Sequence, residues 1–566
     1  MLTKRITARL FASALLFSML LCHSIASPHS DPRSENTLNA QDSLLLRDYR
    51  FVQQSSPWLT QRNAASLTLF NSENIAEAEV SFAHSNGKLT NFSGSPSLND
   101  FQGVIESYYR LSPRAVVYGA ISYDNQSGKD MTGSAFMQDR LPFDIVEDSL
   151  TNLGRKHRDT YHLVGAFGYT VFDGLAIGMK ADYTAANYAK YKDLRHKNKL
   201  MNLDFTAGVL SSFNIQHSTL HIGLDYTYHR RTESVEFGTY GKADKVYKSL
   251  IDYGAMMGIV EQFGNDGYTD KTNEMPLFED AHGVGLQLEF QPGHHSQRAN
   301  DGLSLFAAAS YSHATGYYGR PSQYTITYTD HDRNILTLQG RASYAFSASR
   351  FNLDVKYQSE TLENRINTYR GLTNKYGATY YEYYDATKSG EKGWRNFDVD
   401  YTLHLGIRHE LPTWTITAGY HWQQRDITAY LYPYYRQQQL NTSEVVASGT
   451  RNLDLLGGIL GVTLNGGYQT GSGDPYHDGS FVTPSAKQPQ PATMETFLYR
   501  DYEYLTAKQY HLGLQLKYCF LFPGTCLNTF VRTAFDYRHA TTPDGSPSNL
   551  HNPSRTTFLI AAGHTF

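Results

Sequence analysis

Phe558-Leu559-Ile560-Ala561-Ala562-Gly563-His564-Thr565-Phe566 closes the chain. Counting back by twos from Phe566 gives His564, Ala562, Ile560 and Phe558, and the interleaved set is Thr565, Gly563, Ala561 and Leu559. One face is largely apolar with an aromatic at each end, and the other is mostly small. A period of two is that of a β-strand, whose successive side chains point to opposite faces. The stretch therefore reads as a strand running to the final residue.

The same period recurs upstream. Between Lys508 and Cys519, Tyr510, Leu512, Leu514, Leu516 and Tyr518 alternate with Gln509, His511, Gly513, Gln515 and Lys517. Val399, Tyr401, Leu403, Leu405 and Ile407 alternate with Asp398, Asp400, Thr402, His404 and Arg408. Trp414, Ile416, Ala418, Tyr420 and Trp422 alternate with Thr415, Thr417, Gly419, His421 and Gln423. A soluble sandwich could not bury so many charges on a hidden face without heavy cost. A wall with lipid on one side and water on the other satisfies both sets, and the Tyr residues at its ends become interfacial girdles. The 43 Tyr and 29 Phe suit that wall.

Turn formers separate the runs at Ser112-Pro113-Arg114, Phe172-Asp173-Gly174, Phe213-Asn214, Ser347-Ala348-Ser349, Pro412-Thr413, Gly457-Gly458 and Pro523-Gly524, with a longer connection over Pro292 to Gly302. Long polar loops fall near 85–100, 125–160, 186–199, 230–280, 316–333, 361–396, 427–450, 471–505 and 540–554. Eight turns give an all-β, transmembrane antiparallel β-barrel of about 18 strands, with 16–20 as the range, short periplasmic turns and long extracellular loops. The last strand is expected to close against the first near Ala76 to Phe82. The acidic loop 230–280 has two readings, folding inward to cap the mouth or lying in solvent, and the solvated one is preferred.

The N-terminus carries Lys4, Arg5 and Arg9, an apolar run from Leu10 to Leu21, and Ser24-Ile25-Ala26 in small-x-small form. That is the pattern of a secretory signal peptide over residues 1–26. Residues 27–73 form a segment that is not barrel-like, read either as entering the lumen or as a periplasmic tail, and the barrel covers 74–566. No later run of about 18 apolar residues exists, so helical spans are not expected. The aromatic C-terminal strand resembles the signal that inserts bacterial outer-membrane barrels. The cell outer membrane of a Gram-negative bacterium is thus the expected location, with outer-membrane lipid and the barrel assembly machinery as partners.

The net charge of −4 argues against a nucleic-acid partner. No phosphate loop, Gly-x-Ser-x-Gly elbow or Cys-x-x-Cys pair appears, so neither catalysis nor a cofactor is expected. The inward set Asp398, Asp400, His404, Arg408, His421 and Arg425 is expected to line the lumen. Its mixed signs suit a structural network better than a selectivity filter. Among the 22 His, His217, His221 and His229 share a face. Residues four apart on a strand lie about 13 Å apart, so no metal site is expected. Cys519 and Cys526 flank the Pro523-Gly524 turn and are expected to form a disulfide, stabilising by at most about 2–3 kcal/mol. Two Tyr-rich loop segments stand out: Tyr380, Tyr381, Tyr383 and Tyr384, and Tyr430, Tyr432, Tyr434, Tyr435 with Arg436. They read either as an upper girdle or as a platform of stacking rings for a ligand.

Ser56-Pro57-Trp58 leading to Asn63-Ala64-Ala65-Ser66-Leu67, then Leu141-Pro142-Phe143-Asp144-Ile145, and Tyr183 through Tyr191-Lys192-Asp193-Leu194-Arg195 to Asn198 resemble a family of Bacteroidota outer-membrane β-barrels, a domain of unknown function found beside TonB-dependent receptors. The resemblance implies a role in uptake of a nutrient or iron chelate, with a TonB-dependent receptor or surface lipoprotein as partner. Residues 27–73 are too few for such a receptor's own plug. Three alternatives are carried: a surface binding or adhesion protein anchored by its barrel, a fatty-acid-channel-like transporter of hydrophobic molecules, and a rim hydrolase using acids such as Glu382 or Asp385.

Overall fold

The computed structural model describes residues 47–147, 153–240, 246–263, 275–292, 302–521, 527–543 and 545–566. Eighteen strands form one closed antiparallel barrel. They are β1 Ile75–Gly87, β2 Ser97–Ser112, β3 Ala115–Met131, β4 Gly154–Phe172, β5 Leu175–Lys190 and β6 Arg195–Ile215. Next come β7 Ser218–Gly238, β8 Met275–Gln291, β9 Gly302–Gly319, β10 Thr327–Phe346, β11 Ser349–Ile366 and β12 Thr387–Leu405. The last six are β13 Trp414–Leu431, β14 Tyr434–Leu455, β15 Gly458–Gly473, β16 Lys508–Leu521, β17 Asn528–Thr541 and β18 Ser554–Thr565. Each pairs with the next, and β18 returns to β1 with Ala78 opposite His564 and Phe82 opposite Ile560. Phe566 N–H donates to the Ala76 carbonyl at 2.9 Å, and Ala76 N–H donates back at 2.6 Å. Closure pairs every strand on both sides and leaves no open edge.

The two faces separate as the alternation requires. On β16, Tyr510, Leu512, Leu514 and Leu516 are exposed outward while Gln509 is buried. On β8, Val284, Leu286, Leu288 and Phe290 face out, and Gln287 and Glu289 are buried inside. Large apolar side chains exposed all around a barrel form the belt that hydrocarbon covers.

One end carries the short connections, at 113–114, 173–174, 216–217, 347–348 and 456–457. The turn expected at Phe213-Asn214 lies three residues later, at 216–217, because Phe213 and Ile215 extend the outward apolar row and Gln216 supplies the positive φ of 53°. The turn residues Pro523-Gly524 and most of Pro292 to Gly302 lie outside the described residues. So do residues 1–46 and Cys526, the expected partner of half-buried Cys519. At the other end, the loop expected over 427–450 is replaced by a strand hairpin. β13 and β14 run to Leu431 and from Tyr434, leaving Tyr432-Pro433 as the turn, and His477–Ser480 pairs with Tyr434 to Gln437. That added ladder supplies backbone partners above the membrane belt.

Two inserts fill the barrel. At the turn end sits α1, Tyr49–Gln54, capped by the Asp48 carboxylate, followed by the 3-10 turns Pro57–Thr60 and Ala64–Leu69. Their apolar side chains, including Val52, Leu59, Leu67 and Phe70, pack on Tyr108 and Val116 of the inner wall. At the loop end a five-stranded sheet lies inside, with Tyr247–Gly254 flanked by Met257–Phe263 and Asp144–Glu147. Its core joins Phe136, Phe143, Ile145 and Ile251 to Phe237 and Tyr318 of the wall. Helix α2, Glu495–Thr506, adds Phe497 and Leu498 against Leu250 and Ile427. The solvated reading of loop 230–280 is thereby corrected: Leu250, Ile251 and Tyr253 are apolar, and burying them inside outweighs leaving the segment in water.

Candidate functional site: a lumen chamber beside the loop-end insert

The turn-end insert is fitted to the wall by glycine. Gly168, Gly178 and Gly208 stand directly opposite one another on β4, β5 and β6. A Cβ at Gly168 would lie 2.7 Å from the Ala64 carbonyl, and one at Gly178 or Gly208 would overlap Ala65 or Asn63. The row is a trough that only backbone can line, and residues 63–65 lie in it. The Asn63 amide donates to the carbonyls of Val209 at 3.0 Å and Leu224 at 3.2 Å, and contacts Gln287 at 3.1 Å. Trp58 Nε1 donates to Glu289 at 2.5 Å. Arg341 and Arg350 donate to the carbonyls of Gln54 and Ser55 from the far side of the lumen.

The loop-end insert is fixed by charge. Glu147, at the end of Asp144–Glu147, forms an ion pair with Lys156 at 2.6 Å and accepts from Lys190, with His196 3.5 Å away, all fully buried. Burial alone would push the Glu147 carboxyl up, but Lys156, His196 and Lys190 hold it well below the usual carboxylate range. Arg333 bridges Glu279 at 3.0 Å and Glu360 at 2.7 Å, and Arg140 of the insert also reaches Glu360, at 2.6 Å. Buried ion sets of this kind tolerate poorly the loss of one partner.

Between the insert, α2 and the wall formed by β3, β4 and β12 to β14 lies a cavity of about 580 Å³. Asp144 and Asp252 stand opposite one another on the insert and line it together with Lys392. Burial pushes the Asp144 carboxyl up to about 6, against the Ser134 hydroxyl that donates to it. Asp252 is raised for the same reason. Lys392 Nζ donates to the Leu141 carbonyl at 2.9 Å.

The sequence-predicted residues distribute unevenly around this chamber. Arg425 lines it, pairing with Asp501 of α2 at 2.7 Å and donating to Gln438 at 2.7 Å. His421 sits 3.0 Å from Asp398 and 3.6 Å from Asp400, one inward cluster on neighbouring strands. His404 meets Thr415 and the edge of Phe51. Arg408 lies in the connection between β12 and β13, bridged to Leu411. His221 and His229 go separately to Ser212 and Asp204.

Tyr380, Tyr381 and Tyr383 belong to a small hairpin, Tyr369–Thr373 with Thr379–Tyr383, and Tyr384 follows it. Tyr369 rings pack on Tyr381 and Tyr383. Tyr430 and Tyr435 flank Phe481, Tyr434 accepts from Gln490, and Tyr432 is exposed. Arg436 is buried, holding Asp478 by two bonds and reaching the Ala255 carbonyl and Thr493. Its position ties the insert to β14. Sequence reading missed the chamber residues Gln138, Asp144, Lys156, Arg158, Asp252, Lys392 and Trp394. The one signal was the Leu141-Pro142-Phe143-Asp144-Ile145 stretch.

The fold and its contents define a class: a closed 18-stranded barrel with an apolar outer belt and an insert in each half of its lumen. The chain belongs to a family of unknown function (DUF6850), whose model matches residues 64–566. No curated protein matches the chain in sequence. Among solved structures, it is similar to BauA, the ferric preacinetobactin receptor from Acinetobacter baumannii, at 8% identity and a TM-score of 0.40 over 88% of this chain and 80% of that one. The ferric citrate transporter FecA gives 10% identity and a TM-score of 0.39 over 88% and 79% of the two chains. The transporter YddB from Escherichia coli gives 9% and 0.37 over 87% and 81%.

Proposed function

We propose that this protein is a non-enzymatic outer-membrane barrel that admits a small polar nutrient through a lumen gated at both ends, with the turn end in the periplasm. The observation that carries this reading is the chamber of about 580 Å³, a size typical of small-molecule sites, lying within the lumen of a membrane-type wall. A barrel of this strand number would enclose a wide aqueous channel if empty. Here the glycine trough holds one insert against the wall, and buried ion pairs hold the other. The charged and amide lining speaks against a channel for hydrophobic molecules. An iron chelate belongs to the same reading as one candidate cargo, and a receptor or surface lipoprotein is the expected partner in that case.

The test is solute flux into proteoliposomes. Intact protein is expected to pass little, and a variant lacking residues 27–73 and carrying Glu147→Gln is expected to pass small sugars and salts. A barrel that stays sealed in that variant overturns the reading. Exposed Tyr376, Tyr432 and Phe481 at the loop tips support a second role, surface binding. Removing residues 368–385 is then expected to abolish whole-cell ligand binding while flux is unchanged.

A further inference from the structure

We infer that a groove on the outside of the barrel, at the loop end of β4 to β6, seats the phosphorylated sugar headgroup of an outer-leaflet glycolipid. The inference rests on the membrane placement proposed above and not on transport. On β4 the exposed outward row runs Phe167, Leu163 and Tyr161 and continues in the same parity as Asp159, His157 and Arg155. On β6, outward Val209 and Phe205 are exposed, and Met201 is followed in that row by Lys199, Lys197 and Arg195. Lys197 lies about 13 Å beyond Met201 along a tilted strand, which sets it at the level of lipid headgroups rather than of acyl chains. The groove there has a volume of about 300 Å³, at the lower edge of small-molecule sites. It is hollow because the middle strand is short of bulk: Ala189 stands between His157 and Lys197, and Asn187 between Asp159 and Lys199.

Charge names the occupant. The acids around the groove are largely engaged. Asp159 accepts from the Tyr123 hydroxyl at 2.7 Å and the Asn125 amide at 2.6 Å, with His157 3.1 Å away. Asp193 is held by Arg195 at 2.9 Å, and Glu236 stands opposite Lys197 on β7. Among the described residues, Arg155, Lys192 and Lys197 have no carboxylate within 4 Å. Arg155 donates to the Ser127 hydroxyl at 2.8 Å and lies over the exposed Tyr191 ring. The far side of the barrel differs. From β10 to β12 the outward cations are spent on neighbours: Arg365 pairs with Asp332 and Glu363, both at 2.7 Å, and Lys388 with Glu363 at 3.1 Å and Glu391 at 2.8 Å. A basic surplus on one side only, at headgroup depth, suits the phosphate of a lipid that is already packed on the belt below. The groove exceeds what a phosphate fills, and the Asn187 amide offers a donor and an acceptor to the hydroxyls of the sugar that carries it.

The experiment is native mass spectrometry of full-length protein in mild detergent, with bisphosphoryl lipid A, its dephosphorylated form, phosphatidylglycerol and inorganic phosphate as probes. Bisphosphoryl lipid A is expected to stay bound, and the dephosphorylated form to bind about tenfold more weakly or worse. Arg155→Gln with Lys197→Gln is expected to weaken lipid A binding by about tenfold or more, with circular dichroism and heat-modifiable gel mobility unchanged. Arg365→Gln with Lys388→Gln removes the same charge from the self-paired side and is expected to leave binding within about twofold. If the first pair fails to assemble, exposed Lys197→Gln alone is expected to weaken binding by about threefold or more. Equal losses from the two pairs overturn the inference, as does equal binding of phosphatidylglycerol. Binding of inorganic phosphate in place of lipid A makes the groove a free-anion site and overturns it too. Placement is read separately, by labelling Tyr376→Cys on whole cells with a membrane-impermeant maleimide. Labelling without lipid A binding overturns this inference alone, and absence of labelling overturns the placement with it.

Discussion

At Gly178 the wall carries no side chain because Ala65 occupies that volume. Backbone cannot swing aside as a flexible side chain can, so Gly178→Val is expected to displace residues 63–67 while the β4–β5 and β5–β6 ladders persist. Limited proteolysis should then cleave the N-terminal segment, with heat-modifiable mobility unchanged; an uncut segment would mean that the trough does not hold it. Asn63→Leu removes donors from two backbone carbonyls and Gln287. It is expected to weaken docking by roughly 1–3 kcal/mol, read as lost hydrogen-exchange protection at Ala65 and Ser66. Asp144 sets a pH dependence. Its carboxyl is raised to about 6 in the folded insert, so the folded state binds the proton more tightly than the unfolded chain does. The Asp144 contribution to insert stability is then greatest below about pH 4, falls as pH rises to about 6 and is level above, a span of roughly 3 kcal/mol. Glu147 acts in the opposite sense at lower pH: held well below the usual carboxylate range in the folded insert, it contributes stability that is lost as pH falls through that range. Exchange protection in Tyr247–Gly254, corrected for intrinsic rates, should therefore drop as pH rises from about 5 to 7, and Asp144→Asn should reduce that drop.

Among the elements, legibility followed periodicity. Tyr510 to Leu516 on β16 and Phe558 to Phe566 on β18 announce their faces by strict alternation, so the strand count and the closure were readable. Tyr247–Gly254 was not, because Leu250 and Ile251 are adjacent apolar residues buried on both faces of an inner sheet, a pattern that a loop also shows. The chamber was hidden for a related reason: Gln138, Arg158, Trp394 and Arg425 come from four separate elements, and no spacing within any one of them marks a shared cavity. The stretches that carried the family resemblance, Asn63 to Leu67 and Leu141 to Ile145, are parts of the two inserts. Lys156 and Lys190 share a single carboxylate, and Glu147→Gln leaves them facing each other without an anion. Breaking a buried set in this way costs about 3–5 kcal/mol, comparable with the docking of a small sheet. The substitution is expected to raise exchange throughout Asp144 to Val146 and Tyr247 to Gly254 while leaving the barrel ladders protected. Unchanged exchange in the insert would show that its apolar core alone holds it.

For the whole molecule, two inserts along one lumen behave as resistances in series, and flux is set by the larger. Deleting residues 27–73 leaves the loop-end sheet, with its core of Phe136, Phe143 and Ile251, across the mouth. Glu147→Gln alone leaves Trp58, Asn63 and α1 bridging the turn end from Glu289 to Arg350. Each single variant is therefore expected to conduct only slightly more than the intact protein in planar bilayers. The combined variant should show the large, steady conductance of an open barrel of this strand number. The excess of the double change over the sum of the singles is the quantity to measure. A full opening from Glu147→Gln alone would make the N-terminal segment a tail rather than a gate. A full opening from the deletion alone would make the loop-end sheet porous, and the chamber a vestibule rather than an enclosed site.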